Sequence, residues 1–212
     1  MITQEEMQMA NKTSRHGGFS MNAVTPKYIA SIAKVSDSIL DFGAGKDAVH
    51  TKFLQETHHL NVVAHEFGAN LNENHDSTAL NNDYDIVFAS NVINVQTSMT
   101  MLNTTLTQIF GASKGIVVFN YPKTPRKLEL STEELMVYVR IHFTDDVKME
   151  DSNIIHCKVG THWTDKHITY DSEKQLYVGW DEAGQHHCEH EDYDKCRDSL
   201  IDYTVNVLNK NS

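Results

Sequence analysis

Four short apolar runs separated by segments of helical period limit the architecture of this chain more than any other feature. Ser38–Phe42 (SILDF), Leu60–Phe67 (LNVVAHEF), Tyr84–Ser90 (YDIVFAS) and Gly115–Asn120 (GIVVFN) are continuous and rich in Val, Ile and Phe. That is the pattern of strands buried on both faces. Thr25-Pro26 reads as a helix cap and first turn, with Tyr28, Ile29, Ile32 and Ala33 following at helical spacing. A helix is expected over 46–56, with Val49 and Phe53 on one face. Met99, Leu102, Leu106 and Ile109 fall at i, i+3, i+7 and i+10, and Gly111 stops that helix. Ser131 and Glu134 carry a capping-box signature for a helix over 131–143. Residues 68–82 are polar and rich in Asn, and read as loop with one helical turn. Strand alternating with helix over 24–143 means a parallel sheet, because each parallel crossover must pass over one face of it.

The pattern changes after residue 143. Asn153–Val159 reads as a strand, and His167–Tyr170 and Leu176–Trp180 alternate around Asp171–Lys174 as a hairpin at one edge of the sheet. Tyr193, Cys196, Leu200, Tyr203 and Val207 line one face of a closing helix. The expected organisation is a flexible segment or lid over 1–22, hinged at Gly17–Gly18, and a single α/β three-layer domain over 23–212. Within it, 144–212 forms an acidic hairpin-plus-helix extension.

Length and charge fit this plan. The chain has 212 residues, 40% of them apolar, enough for a sizeable core. Its net charge of −11 argues against holding a polyanion or a membrane surface by bulk electrostatics. The charge is uneven: residues 1–130 hold 10 Lys+Arg against 12 Asp+Glu, and residues 131–212 hold 8 against 17. No apolar run approaches the roughly 20 residues of a bilayer span. The polar start MITQEEMQMANK is unlike a secretory signal, and the three cysteines suit reduced thiols. The expected location is the cytoplasm, with no membrane partner.

Three features converge at the carboxyl ends of the central strands, where such sheets bind ligand. Asp41-Phe42-Gly43-Ala44-Gly45 ends the first strand, and its glycines allow a tight turn and close approach of backbone to a ligand. Glu66 ends the second strand, placed to accept hydrogen bonds from ribose hydroxyls. Asp85–Asn91 (DIVFASN) ends at the same crevice.

This order resembles the class I S-adenosylmethionine-dependent methyltransferases. Their first motif, an acidic residue before G-x-G after the first strand, matches LDFGAG, and their second, an acid ending the next strand, matches Glu66. The stretch 84–95 with the helix after it also resembles methyltransferases associated with DNA phosphorothioation loci. The resemblance covers about residues 24–143 and implies a Rossmann-like methyltransferase sandwich with S-adenosylmethionine as cofactor. It places Asp41 near the methionine amino group and the Gly43 and Gly45 backbone under methionine and ribose. Glu66 would hold the ribose, Phe67 flank the adenine, Asn74 and Asp76 meet the adenine edge, and Ser90 and Asn91 lie beside the sulfonium. Two departures bear on the adenine pocket: Asp47 stands where a third glycine often falls, and no clear strand separates Glu66 from Tyr84. A nicotinamide dinucleotide uses the same topology, with Ala48 or Val49 where its fingerprint needs a third glycine or alanine.

Substrate handling has fewer signals. Asn120-Tyr121-Pro122-Lys123 partly resembles the N-P-P-Y motif of amino-group DNA methyltransferases, which makes Asn91, Asn120 and Tyr121 the catalytic candidates. Lys123, Arg126 and Lys127 could meet a phosphate, and Arg15 and His16 could close over the site as a lid. His186, His187, Cys188, His190 and Cys196 are close in sequence, but C-x-H-x5-C matches no standard zinc module, so no metal is expected. The acceptor is expected to be a small molecule or nucleotide, with a nucleic-acid base as a further candidate. The alternatives are another S-adenosylmethionine-using enzyme, or a catalytically inactive protein of this fold acting through its acidic C-terminal segment.

Overall fold

The computed structural model describes residues 23–123, 125, 127–150, 153–160, 167–180 and 184–210, with side chains as far as residue 203. The chain divides into two compact units, residues 1–136 with 146–159, and residues 137–145 with 160–212.

The first unit is built on a six-stranded sheet in the order β2-β1-β3-β4-β6-β5. Strands β1 (Ser38–Phe42), β2 (Asn61–His65), β3 (Tyr84–Ala89) and β4 (Ser113–Asn120) are mutually parallel. Helix α1 (Val24–Ile32) precedes β1, α2 (Val49–His58) joins β1 to β2, and α3 (Met99–Gly111) lies between β3 and β4, whereas no α-helix lies between β2 and β3. Ile39 is in register with Val62 on one side and Ile86 on the other. Side chains alternate across a strand, so Ile39, Ile86 and Val118 face one side while Leu40, Val87 and Val117 face the other. All six are buried, so both faces of the sheet are covered. On the Ile39 face, Ile29 of α1 and Leu54 of α2 join Val62, Phe88 and Val118 in one cluster. Helix α3 buries Leu102, Leu106 and Ile109 and meets β3 and β4.

The antiparallel edge consists of β6 (Ile154–Lys158), paired with β4, and β5 (Val147–Met149), paired with β6. The hairpin expected at that edge forms, but in another sheet. Strands β7 (Ile168–Asp171) and β8 (Leu176–Trp180) pair with β9 (His186–His190) in the second unit, in the order β7-β8-β9. The burial pattern explains the difference. Ile154, Ile155, His156 and Cys157 are buried in succession, as a strand covered on both faces requires, whereas Thr169 and Tyr170 of β7 are exposed. The second unit closes with helix α5 (Tyr193–Lys210), whose Cys196 and Leu200 cluster with Ile168, Tyr177, Cys188 and Tyr193. The Val207 side chain lies outside those described.

Helix ends follow local chemistry with two corrections. Helix α1 starts at Val24 after Ala23, so Thr25 lies inside the first turn and is not its cap. Pro26 fits there because first-turn N–H groups have no helical partner. Helix α2 starts later than expected because residues up to Ala48, left-handed at φ 46°, complete the glycine turn. The capping box of α4 (Thr132–His142) forms as read: Glu134 N donates to Ser131 Oγ at 3.1 Å and Ser131 N to Glu134 Oε2 at 2.6 Å. Among the described residues, no helix is long and apolar enough to cross a membrane.

Candidate functional site

Strand β1 has β2 on one side and β3 on the other, so the chain order reverses there. A reversal of this kind opens a crevice at the carboxyl ends of the strands, because successive connections leave in opposite directions. The sequence puts the glycine turn, Glu66, Ser90-Asn91 and Asn120 at those ends.

The glycine turn folds back onto β2. Gly43 N and Ala44 N both donate to His65 O, at 2.9 and 3.0 Å. Gly43 and Gly45 have φ of 72° and 71°, where side chains are strained. Their surroundings differ. A Cβ on Gly43 would stand 2.6 Å from Val92 Cγ2, whereas one on Gly45 would meet nothing within 4 Å. Gly43 therefore admits Val92, and Gly45 leaves open space.

Two carboxylates flank this turn. Glu66 is 5% exposed and accepts from Gly45 N at 2.8 Å through Oε2 and from Phe67 N at 2.9 Å through Oε1. Burial raises its pKa, opposed by the Phe67 and Gly45 N–H groups and by His75. Asp41 is fully buried; its Oδ2 accepts from Thr51 Oγ1 at 2.8 Å, and its Oδ1 has no partner among the described residues. Burial pushes the Asp41 carboxyl up to about 7, the Thr51 hydroxyl offsets part of this, and the Glu66 charge adds to it. The ion pairs among the described residues involve neither Asp41 nor Glu66.

The ends of β3 and β4 are tied together. Asn91 is left-handed at φ 60°, its N donates to Asn120 Oδ1 at 2.6 Å, and Asn120 Nδ2 donates to Asn91 Oδ1 at 2.7 Å. Asn is among the few residues that tolerate this conformation. The exchange uses both polar atoms of Asn120 and leaves Asn91 with its amide nitrogen as the group to offer a ligand. Ser90 Oγ and Asn94 Oδ1 nearby are buried without a hydrogen-bond partner among the described residues.

Tyr121 is fully buried and its hydroxyl donates to Leu130 O at 3.0 Å. It anchors the loop before α4, and burial, then Glu134, raises its pKa. That geometry does not present the hydroxyl to a substrate. Lys123 and Lys127 are exposed, while Arg15, His16 and Arg126 lie outside the described residues. Phe67 is half-buried with its ring 6.5 Å from that of Phe42.

Residues 68–82 hold two short 3-10 turns, Gly68–Asn70 and Ala79–Asn81, in place of a strand. Asp76 N donates to Ala64 O at 2.9 Å, on the outer side of β2. Asn72 Nδ2 donates to Lys46 O at 2.7 Å, and Asn72 N donates to His75 Nδ1 at 3.2 Å. His75 Nε2 therefore carries the ring proton and donates to Gly45 O at 2.9 Å. Asn74 bonds within this loop to Asn72 Oδ1, and Asp76 Oδ1 accepts from Thr78 N and Oγ1. Thr51, Asn72, His75 and Val92 shape the site but carry no motif. Their one legible signal is Thr51, a polar residue two positions from Val49 and Phe53 on the same short helix.

Among the described residues, no group of three or more His, Cys, Asp and Glu is placed to hold a metal ion. No protein-family model matches the chain, and no curated protein matches its sequence. Solved structures with a similar course of the chain include methyltransferases. Magnesium protoporphyrin IX methyltransferase from Synechocystis, crystallised with S-adenosylmethionine, is 8% identical over 73% of this chain and 79% of its own, with a TM-score of 0.48. A TehB-like S-adenosylmethionine-dependent methyltransferase from Corynebacterium glutamicum is 13% identical over 75% of this chain and 100% of its own, with a TM-score of 0.48. Human N-acetylserotonin methyltransferase is 11% identical over 73% of this chain and 55% of its own, with a TM-score of 0.41. At such identities the likeness concerns the course of the chain and not its residues.

Proposed function

We propose that the chain binds S-adenosylmethionine at the carboxyl ends of β1, β2 and β3 and is a methyltransferase acting on a small-molecule or nucleotide acceptor. The observation that carries this is the pair Asp41 and Glu66: two buried carboxylates beside an open glycine turn, neither paired with a lysine or arginine among the described residues. Buried anions without a cation are costly. A cationic, hydroxyl-rich ligand relieves that cost. Asp41 Oδ1 has an unused acceptor for an ammonium group. Glu66, held in place by two backbone N–H groups, keeps lone pairs on each oxygen for ribose hydroxyls. The residues therefore fit the cofactor the motifs imply.

S-adenosylmethionine, when bound, supplies a methyl group already activated on a positive sulfur. The protein's own task is to align the acceptor and exclude water. Asn91 and Ser90 face that task from the end of β3, with Asn120 fixing the Asn91 backbone as a positioning residue. Tyr121, committed to Leu130 O, is not assigned a proton-transfer role. Lys123 and Lys127 suit a phosphate on a nucleotide acceptor.

Calorimetry with S-adenosylmethionine, followed by product analysis for S-adenosylhomocysteine, tests the proposal. Binding with no turnover of any acceptor would favour an inactive binding protein, and methylthioadenosine as product would favour a different enzyme. Glu66→Ala should weaken binding about ten- to a hundredfold, the equivalent of about 1.5–3 kcal/mol for a charge-assisted hydrogen bond. An affinity within about twofold of the parent sinks the ribose role.

A further inference from the structure

We propose that Cys188 and Cys196 form a reversible disulfide that clamps β9 to the first turns of α5. Cys188 lies on β9 and Cys196 near the start of α5, with seven residues, 189–195, between them. Their sulfurs are 3.0 Å apart, so closure to the usual S–S bond of about 2.05 Å needs about 1 Å of approach. Both are free thiols: Cys188 Sγ donates to Cys196 O at 3.2 Å, and Cys196 Sγ donates to Tyr177 O at 3.5 Å.

The strand opposite is shaped around the pair. Gly179 of β8 is in register with Cys188. A Cβ there would stand 2.5 Å from Cys188 Sγ and 3.5 Å from Cys196 Sγ, so the absent side chain is what admits both sulfurs. Cys188 is half-buried, whereas Cys196 is fully buried among Ile168, Leu200 and Tyr177.

The chemistry balances with a peroxide as oxidant. Cys188 as thiolate attacks one peroxide oxygen, the O–O bond breaks, and the departing hydroxide takes up the thiol proton as water, leaving a sulfenic acid. The Cys196 sulfur then attacks the Cys188 sulfur, the S–O bond breaks, and the hydroxyl leaves as a second water with the Cys196 proton. Two thiols are oxidised by two electrons and one peroxide is reduced to two waters. A thiol reductant reverses the S–S bond by exchange.

The test treats the full chain with hydrogen peroxide near one equivalent, then denatures and alkylates it. Three cysteines are present, so the oxidised chain should take up one alkyl group in place of three, with a mass lower by two hydrogens before alkylation. Peptide mapping should join Cys188 to Cys196, and dithiothreitol should restore all three alkylations. Cys196→Ser supplies the second arm. Without a resolving thiol, Cys188 should stay as a sulfenic acid and take up dimedone at least tenfold more than the parent does. Equal dimedone labelling of parent and variant overturns the proposal. So does a link through Cys157 or between two chains, or a parent that keeps three alkylatable thiols while Cys188 oxidises in the variant.

Discussion

Asp85 and Asp41 stand at opposite ends of neighbouring strands in one sheet, and their surroundings treat them oppositely. Asp85, near the amino end of β3, accepts from Ser38 N and Ser38 Oγ at 2.8 Å each and pairs with Lys114 at 3.2 Å. These partners, the Ser38 bonds before Lys114, hold its carboxyl down at about 2. Asp41, near the carboxyl end of β1, has one hydroxyl partner and an orphaned oxygen, and burial drives it up to about 7. Ser90 Oγ, Asn94 Oδ1 and His65 Nδ1, also without partners among the described residues, belong to the same carboxyl ends, whereas Thr25 Oγ1 and His156 Nε2 lie elsewhere. Buried polar groups are normally satisfied. One end of the sheet is thus closed for stability, and the other keeps unmet demand that a ligand can fill.

The strongest way to break this contrast is Asp41→Asn. It should weaken S-adenosylmethionine about tenfold to a hundredfold, the loss of one charge-assisted bond. It should also stabilise the ligand-free protein at alkaline pH. The folded pKa, about 7, lies above the unfolded value of 3.8. The free energy favouring the protonated folded form is therefore fully present below pH 3.8 and lost as pH rises through 7. The difference between 3.8 and about 7 corresponds to about 4 kcal/mol. Thermal unfolding between pH 4 and 8 should show the parent losing more stability than Asp41→Asn, with the difference complete just above pH 7. Parallel curves would mean that the charge on Asp41 is already compensated.

A pair of glycine substitutions sharpens the contrast within the turn itself. Gly45→Ala adds a methyl into open space at a strained φ, so it should cost about 1–2 kcal/mol in stability and weaken cofactor affinity more than Gly43→Ala does. Gly43→Ala drives a methyl into Val92, so its larger loss should be in unfolding temperature, partly recovered by Val92→Ala. Denaturant unfolding and calorimetry on each variant separate the two. Equal affinity losses would mean that both positions face the ligand.

The smallest effect on binding is expected at the closed end. Asp85→Asn should leave cofactor affinity within about twofold while lowering the unfolding temperature. Because the folded pKa is depressed to about 2 from 3.8, this contribution is present above pH 3.8 and lost as pH falls through 2. The gap between parent and variant should therefore narrow in acid. A drop in affinity at neutral pH would show that the two ends of the sheet are coupled.

Much of this plan was legible in the chain because it rests on local pattern. SILDF, YDIVFAS and GIVVFN have the composition of buried parallel strands, and a glycine-rich turn after the first of them marks the crevice. What escaped is non-local or irregular. Strand β9 reads HHCEH, polar and without alternation, and it is a strand because β8 pairs with it. Strand β5 is three residues long, too short for any periodic signal. The sequence placed an antiparallel hairpin at the sheet edge. It did not say which strand would take the edge of β4, because that choice depends on burial of Ile154 and Ile155 from both sides. At the site, the positions of Asp41, Glu66 and the glycines follow from strand ends. The Asn91–Asn120 exchange joins residues 29 apart, and the bond from Tyr121 to Leu130 O joins residues nine apart. No spacing rule reads either.

The Asn-rich segment after β2 has a further consequence. A strand at the border of a sheet offers a ladder of bare amides and carbonyls on which another chain can zip up, the usual start of aggregation. On β2 the rung at Ala64 is already taken by Asp76 N. An invading strand would have to peel the segment away, and with it the Asn72 and His75 bonds that strap the glycine turn. Colloidal behaviour and the integrity of the crevice are thereby tied to the same dozen residues, so trimming them for solubility would expose a sticky border and loosen the site at once.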